Sequence, residues 1–273
     1  MSWWALEVQG GGEAVAAWLA ARTGYAAEER DDGTVVSAVP SREEADRIGA
    51  AAEQADPALT VMVKPLPEVD WSTRWRAGLG PRSFGRLTVV PSWVEHAPRA
   101  GEVVVVLDPE SAFGSGEHGS TRGALSLLEP LVIVGDTVLD LGSGSGILAI
   151  AAVRLGAARA TGVENDADVI PVAVRNAERN GVAGRVQCLE GDAGALAPLL
   201  GPADLICSNI LRSVNETWIP AIYAVLRPGG FAIFSGMEQA EADLFRPRLS
   251  AGGFGVVQEM IDTGWWAVAA RRP

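Results

Sequence analysis

Two cysteines, two histidines and a single lysine, Lys64, are spread over 273 residues. Cys188 and Cys207 cannot make a disulfide framework, and so few Cys and His side chains cannot assemble a metal cluster, which points to a reducing compartment and no bound metal. No apolar run reaches the roughly 18 residues of a membrane span. The start Met1-Ser2-Trp3-Trp4-Ala5-Leu6-Glu7 lacks the basic region and apolar stretch of a signal peptide. A soluble, cytoplasmic protein without a membrane partner is expected. Positive charge is scarce as well: 22 Lys and Arg face 34 Asp and Glu, a formal net charge of -12. So acidic a chain is a poor partner for phosphate backbones, so no direct nucleic-acid binding is expected and a cationic partner fits better.

What is present belongs to a globular protein, with 48% hydrophobic and 21% charged residues in a length that suits one large domain or two smaller ones. Residues 1–65 alternate strand and helix signals. Trp4 to Val8 reads as a strand, and Glu13 to Arg22 places Val15, Trp18 and Leu19 on one helical face. Tyr25 to Arg30 and Thr34 to Val39 flank Asp31-Asp32-Gly33, a hairpin signal. Ser41 with Glu44 is a capping box that opens a helix to about Gln54, and Leu59 to Val63 closes the segment as a strand. The order β-α-β-β-α-β is that of a ferredoxin-like α+β domain. Residues 66–102 differ in composition: Pro67, Pro81, Pro91 and Pro98, with Pro65 just before them, interrupt helices while Trp71, Trp75 and Trp93 offer bulky anchors, so they are expected to form a packed connector.

From 103 to 273 the pattern becomes strand, glycine turn, helix, repeated, as in a parallel α/β sheet. Thr137 to Leu141 precedes a helix at Ile147 to Leu155; Ala160 to Glu164 precedes one at Ala167 to Asn180; further strands follow at Arg185 to Leu189, Leu205 to Ser208 and Phe231 to Ser235, with a final hairpin from Gly255 to Ala269.

The strongest local signal is Val138-Leu139-Asp140-Leu141-Gly142-Ser143-Gly144-Ser145-Gly146-Ile147, a strand that ends in an acid and three alternating glycines. Such glycines let backbone amides approach a ligand, and a helix start favours an electronegative group. The third glycine of a dinucleotide fingerprint would fall at Ile147, so nicotinamide binding is disfavoured. Glu164 ends the next strand, where a carboxylate can accept both hydroxyls of a ribose. Asp192, after the following strand, sits where an acid could accept from an adenine amino group. His118 lies in a glycine-rich loop and reads first as a hydrogen-bonding support, with a general base as the alternative. Cys207 reads as a small buried apolar residue.

Together these spacings resemble the methyltransferases that use S-adenosylmethionine. The segment Phe113-Gly114-Ser115-Gly116-Glu117-His118-Gly119-Ser120-Thr121 is similar to the F-G-T-G-x-H-x-T-T segment of the bacterial ribosomal protein methyltransferase family PrmA, and Ser208-Asn209-Ile210-Leu211 matches its A-N-I-L. Asp70-Trp71, Pro91-Ser92-Trp93, Asn176-Ala177 with Asn180-Gly181-Val182, and Pro228-Gly229-Gly230 match it further. The resemblance implies a Rossmann-like α/β sheet of the class I methyltransferase kind, joined flexibly to a ferredoxin-like domain for substrate recognition. It implies that Thr121, Gly142, Glu164 and Asn209 contact S-adenosylmethionine with Phe113 and Gly114 close by, beside the Asp140, Gly144 and Asp192 read above, and that Asn209 orients the acceptor amine as the catalytic residue. The implied acceptor is a large-subunit ribosomal protein, methylated on lysine side chains and on its N-terminal amine. Ser115, Ser120, Glu164 and Ala167 replace the family's Thr, Thr, Asp and Pro, and Arg212-Ser213-Val214-Asn215 departs from its A-x-P-L beside the expected acceptor. Another protein's lysine or a small amine is the alternative acceptor, and a non-catalytic binding module is the alternative of another class.

Overall fold

The computed structural model describes residues 3–10, 12–25, 27–30, 32–66, 79–110 and 112–273. Asp31, Pro67, Asp70, Trp71 and Trp75, used in the sequence reading, lie outside the described residues. The chain divides into two compact units, Met1–Gly78 and Leu79–Pro273.

The first unit runs β1 (Trp4–Gln9), α1 (Gly12–Thr23), β2 (Ala27–Glu29), β3 (Thr34–Val39), α2 (Arg42–Ala55), β4 (Thr60–Pro65). Its strands form one antiparallel sheet in the order β2-β3-β1-β4, the ferredoxin-like arrangement. Alternation puts Leu6 and Val8 of β1 with Val35 and Val39 of β3 on one face, where Leu19 of α1 and Ile48 of α2 cover them. Ser41 caps α2, its side chain accepting from the Glu44 amide over 3.2 Å. That bond satisfies one of the first-turn donors a helix leaves open.

The second unit begins with a small sheet: β5 (Arg82–Phe84), β6 (Leu87–Pro91) and β7 (Val103–Leu107), in the order β5-β6-β7 with β6 and β7 parallel. Residues 79–102 of the expected connector therefore pack as part of this unit. The reason is burial: Leu87 and Val89 of β6 join Val105 and Leu107 of β7 in the same apolar cluster as the helices that follow.

The main sheet holds β8 (Thr137–Leu141), β9 (Arg159–Glu164), β10 (Val186–Glu190), β11 (Ala203–Asn209), β12 (Leu226–Glu238), β13 (Gly255–Asp262) and β14 (Trp265–Arg271). Their order is β10-β9-β8-β11-β12-β14-β13, parallel from β10 to β12, with β14 antiparallel to both neighbours. The helices are α3 (Gly119–Leu131), α4 (Ile147–Leu155), α5 (Ile170–Arg179), α6 (Ala193–Leu200), α7 (Arg212–Val225) and α8 (Ala242–Ala251). Val138 packs into the apolar cluster on one face of the sheet, Leu139 and Leu141 into that on the other. Helix α5 starts at Ile170 instead of Ala167 because Pro171 occupies its first turn and the Asp166 carboxylate, accepting from the Asp168 amide over 3.0 Å, holds the preceding residues in a turn. Among the described residues no helix is long and apolar enough to cross a membrane.

The strand order turns around at β8, with β9 and β10 on one side and β11 and β12 on the other. In open parallel sheets the crevice at such a point, outside the carboxyl ends of the strands, is where ligands bind.

Candidate functional site

The loop after β8 turns through Gly142, Gly144 and Gly146, whose φ values of 78°, 51° and 79° lie in the left-handed region. At Gly144 there is a second constraint: a Cβ would stand 2.6 Å from the Phe113 carbonyl oxygen. The close approach is stitched by hydrogen bonds, the Ser145 amide donating to Phe113 O over 2.9 Å and the Ser145 hydroxyl to Gly114 O over 2.7 Å. Phe113 and Gly114 are thereby fastened to the glycine loop.

Asp140, on the strand that feeds this loop, is 1% exposed. One carboxylate oxygen accepts from the Ala149 amide in the first turn of α4 over 3.1 Å, and the other has no partner. Burial pushes this carboxyl up to about 7; the Ala149 amide opposes that rise and the nearby Glu164 charge adds to it. Glu164, at the end of β9, collects three backbone donors: Gly144 at 3.0 Å, Asn165 at 2.9 Å and Asp166 at 3.2 Å. Asp192 caps α6, accepting from the Ala195 amide over 2.7 Å.

On the other side of the switch point, Asn209 ends β11 and its side-chain amide donates to the Thr121 hydroxyl over 3.3 Å. Thr121 is fully buried in the first turn of α3. The Asn209 amide oxygen is buried without a partner, and so is the Ser143 hydroxyl. Buried polar atoms left open in a native fold are uncommon and call for a reason. Here Ser143 and Asn209 line one crevice, and Asp140 stands behind its wall. The departing segment Arg212 to Asn215 opens α7: Arg212 pairs with Glu216 and Glu241, and the buried Asn215 amide donates to Ile210 O over 2.9 Å and to Ser235 O over 3.0 Å. His118 hydrogen-bonds through Nδ1 to the Ser120 hydroxyl at 2.8 Å, and its ring lies 4.2 Å from that of Trp265. Burial, with the Arg122 charge second, holds the His118 imidazole below its usual range. Neutral imidazole can then serve as a fixed hydrogen-bonding support at neutral pH.

These elements enclose a cavity of about 520 Å³. That volume is in the range of small-molecule sites. Phe113, Gly114, Gly142, Gly144, Glu164, Asp192 and Asn209 line it; Thr121 and Asp140 stand behind the wall, reaching it through Asn209 and the glycine loop. Ser143 and Ile210, inside the motifs read above, and Val214, in the segment expected beside the acceptor, also line it; sequence reading missed Val163, Ala193 and Trp218 as lining residues. The Trp218 ring packs against Gly194, where a Cβ would stand 2.5 Å from the indole nitrogen, a closeness that nothing in the sequence signals. The lining suits a nucleoside: apolar side chains for a base, an acid at the end of β9 for ribose hydroxyls, and open backbone at the glycines. Among the described residues no group of three or more His, Cys, Asp or Glu is placed to hold a metal ion.

Sheet order, glycine loop and strand-end acid define a class I methyltransferase that uses S-adenosylmethionine. Residues 13–273 match the family described as Ribosomal protein L11 methyltransferase (PrmA), and the chain belongs to that family. The Ribosomal protein L11 methyltransferase of Pelotomaculum thermopropionicum is 42% identical over 216 residues, 79% of this chain and 70% of that protein. That of Chloroflexus aurantiacus is 37% identical over 243 residues, 81% of this chain and 74% of its own length. Among solved structures, the ribosomal protein L11 methylase from Lactobacillus delbrueckii subsp. bulgaricus is similar with a TM-score of 0.65 and 30% identity, covering 71% of this chain and 99% of that one. The chain is an S-adenosylmethionine-dependent protein methyltransferase.

Proposed function

We propose that this protein methylates amino groups of ribosomal protein L11, on lysine side chains and on the N-terminal amine, in the cytoplasm. The observation that carries the reading is the buried, unpartnered amide oxygen of Asn209 at the wall of the cavity, held by the bond to Thr121. An amide oxygen without a partner can accept from the N–H of an acceptor amine, which orients the nitrogen lone pair. S-adenosylmethionine, when bound, supplies an electrophilic sulfonium methyl. Glu164 would hold its ribose hydroxyls, since a carboxylate that already accepts three amides retains lone pairs for further donors. Gly142 and Gly144 would let the backbone approach it closely, Asp192 would face the adenine, and Phe113 with Gly114 would close the open side. Thr121 and Asp140 act from behind, one by orienting Asn209 and the other by holding the start of α4 beneath the glycine loop.

The acceptor must be neutral to attack. A lysine of ordinary pKa, about 10.4, gives up its proton at pH 7 at a cost of about 4 to 5 kcal/mol. Entry into a water-poor cavity lowers that cost by disfavouring the ammonium. The acidic balance of -12 favours approach of a basic ribosomal protein over phosphate backbones, and the first 65 residues are assigned to its recognition. No metal and no membrane enter this reading. Val214, in the segment that departs from the family, lines the cavity, which is what favours a second reading with another protein lysine or a small amine as acceptor.

The test is transfer of radiolabelled methyl from S-adenosylmethionine to unmethylated ribosomal protein L11 beside total cell lysate, with mass spectrometry of the product. Label on lysines and the N-terminal amine of the ribosomal protein supports the reading. Label only on other species retains the methyltransferase and rejects this acceptor. Saturable cofactor binding with no transfer to any component rejects the enzyme in favour of a binding module.

A further inference from the structure

Strand β7 pairs with β6 on one side only, so its other edge would expose backbone donors and acceptors within the second unit. Two asparagines of α5 and its end fill that edge. The Asn180 amide accepts from the Val106 N–H at 2.8 Å and donates to the Val106 carbonyl at 2.7 Å. The Asn176 amide does the same at Asp108, accepting at 3.0 Å and donating at 2.9 Å. The match is geometric: four helical residues rise about 6 Å and two strand residues about 6.6 Å, so side chains at i and i+4 of the helix meet alternate residues of the strand.

The two asparagines differ in two respects: the Asn176 side-chain oxygen also accepts from Arg179 Nη1 at 2.6 Å, and their second N–H groups go to different partners. The second Asn176 N–H reaches the carbonyl of Ser145 in the glycine loop at 3.1 Å, while the second Asn180 N–H returns to its own helix at Asn176 O, 2.8 Å away. Ser145 in turn binds Phe113 O and Gly114 O. Asn176 thus grips Asp108, at the foot of the segment that carries Phe113, and the glycine loop against which that segment lies.

We propose that Asn176 is a positioning residue for the cofactor cavity, coupling the Phe113 segment to the glycine loop, whereas Asn180 only completes the edge of β7. The inference rests on the reading that this cavity holds S-adenosylmethionine. Loss of the Asn176 amide removes one hold on the Asp108 backbone and one on the Ser145 carbonyl together, so the approach of Phe113 to Gly144 is held only by the bonds of Ser145 to Phe113 O and Gly114 O. The consequence falls on cofactor affinity more than on the chemical step.

The test measures the Kd of the full-length protein for S-adenosylhomocysteine by calorimetry, with the thermal unfolding midpoint, for wild type, Asn176→Ala, Asn180→Ala and Ser145→Ala. Both asparagine variants are expected to unfold at lower temperature. Asn176→Ala is expected to raise Kd about tenfold or more at a temperature where it is folded, and Asn180→Ala to leave it within about twofold. In turnover, the KM for S-adenosylmethionine rises in Asn176→Ala while kcat stays nearly constant. Should Asn176→Ala not fold, Ser145→Ala, which removes only the bond to Gly114 O, is expected to raise Kd severalfold and carries the test. Equal Kd changes in the two asparagine variants, or an unchanged Kd in folded Asn176→Ala or in Ser145→Ala, overturn the coupling while wild-type binding stands. Absence of binding by the wild type overturns the cavity reading and the coupling with it.

Discussion

The side-chain amide of Asn209 donates to the hydroxyl of Thr121 over 3.3 Å, joining the end of β11 to the first turn of α3. If that bond aims the Asn209 oxygen at the acceptor, Asn209→Ala loses about 10²-fold in kcat with Kd for S-adenosylhomocysteine changed less than tenfold, and Thr121→Ala loses about 3- to 10-fold. Single-turnover kinetics with saturating cofactor check it. An Asn209→Ala enzyme within about threefold of wild type would remove the residue from the reaction.

Glu164 offers two acceptor oxygens to the amides of Gly144, Asn165 and Asp166. Glu164→Gln keeps the shape but turns one oxygen into a donor, so at least one amide faces an NH2 group. Calorimetry is expected to show cofactor affinity weaker by roughly 10- to 100-fold, the range of a lost hydrogen bond to a charged group. An affinity unchanged by this substitution contradicts the ribose role.

The Asp140 carboxyl gives a pH signature. Burial raises it from an ordinary 3.8 to about 7 in the folded protein. Below 3.8 both folded and unfolded chains carry the proton and the group is neutral toward stability. Between 3.8 and about 7 the folded chain keeps a proton that the unfolded chain has released, so stability falls as pH rises; above about 7 the penalty is complete. In Asp140→Asn the penalty is absent. Its stability relative to wild type is therefore expected to grow from pH 4 to 7 and then level off, by roughly 1 to 4 kcal/mol in all. Urea unfolding of both proteins across that range checks the slope, and a difference independent of pH would show that Asp140 titrates at its ordinary value.

Gly144 and Gly181 separate backbone strain from close approach. Both have positive φ, 51° and 67°, but a Cβ at Gly181 meets nothing within 4 Å while one at Gly144 meets Phe113 O at 2.6 Å. Gly181→Ala is expected to cost about 1 kcal/mol, the strain of a left-handed residue, with cofactor affinity intact. Gly144→Ala is expected to cost at least about 2 kcal/mol and to weaken cofactor binding about tenfold or more, because the Phe113 segment must move. Denaturation and calorimetry on the pair distinguish the two effects; equal affinities would mean that the Phe113 segment is no part of the cavity.

Much of this architecture is legible in the chain itself. The alternation of Leu6 and Val8 marks one face of β1, Ser41 with Glu44 marks the start of α2, and the acids at Asp140 and Glu164 mark strand ends next to a glycine loop. Strand β6 was hidden because Leu87-Thr88-Val89-Val90 is a short β-rich run in a proline-rich stretch, and a run of that length carries no clear periodicity. Trp218 was hidden for another reason: an apolar residue in the first half of a helix has the same local pattern whether it faces a core or a cavity.

Local sterics and periodicity were therefore determined by the sequence alone: the left-handed turns at Gly142, Gly144 and Gly146, the order of strands and helices, and the strand-end position of the acids. The motifs pointed to a cofactor on the same terms. Only the tertiary structure decided that Asn176, already visible as part of a motif, spans Asp108 and Ser145, that Thr121 meets Asn209, and that the open polar atoms of Ser143 and Asn209 share one crevice. A hydrogen bond between residues 68 or 88 positions apart depends on how parallel strands are crossed over and brought side by side, which no local pattern of residues records.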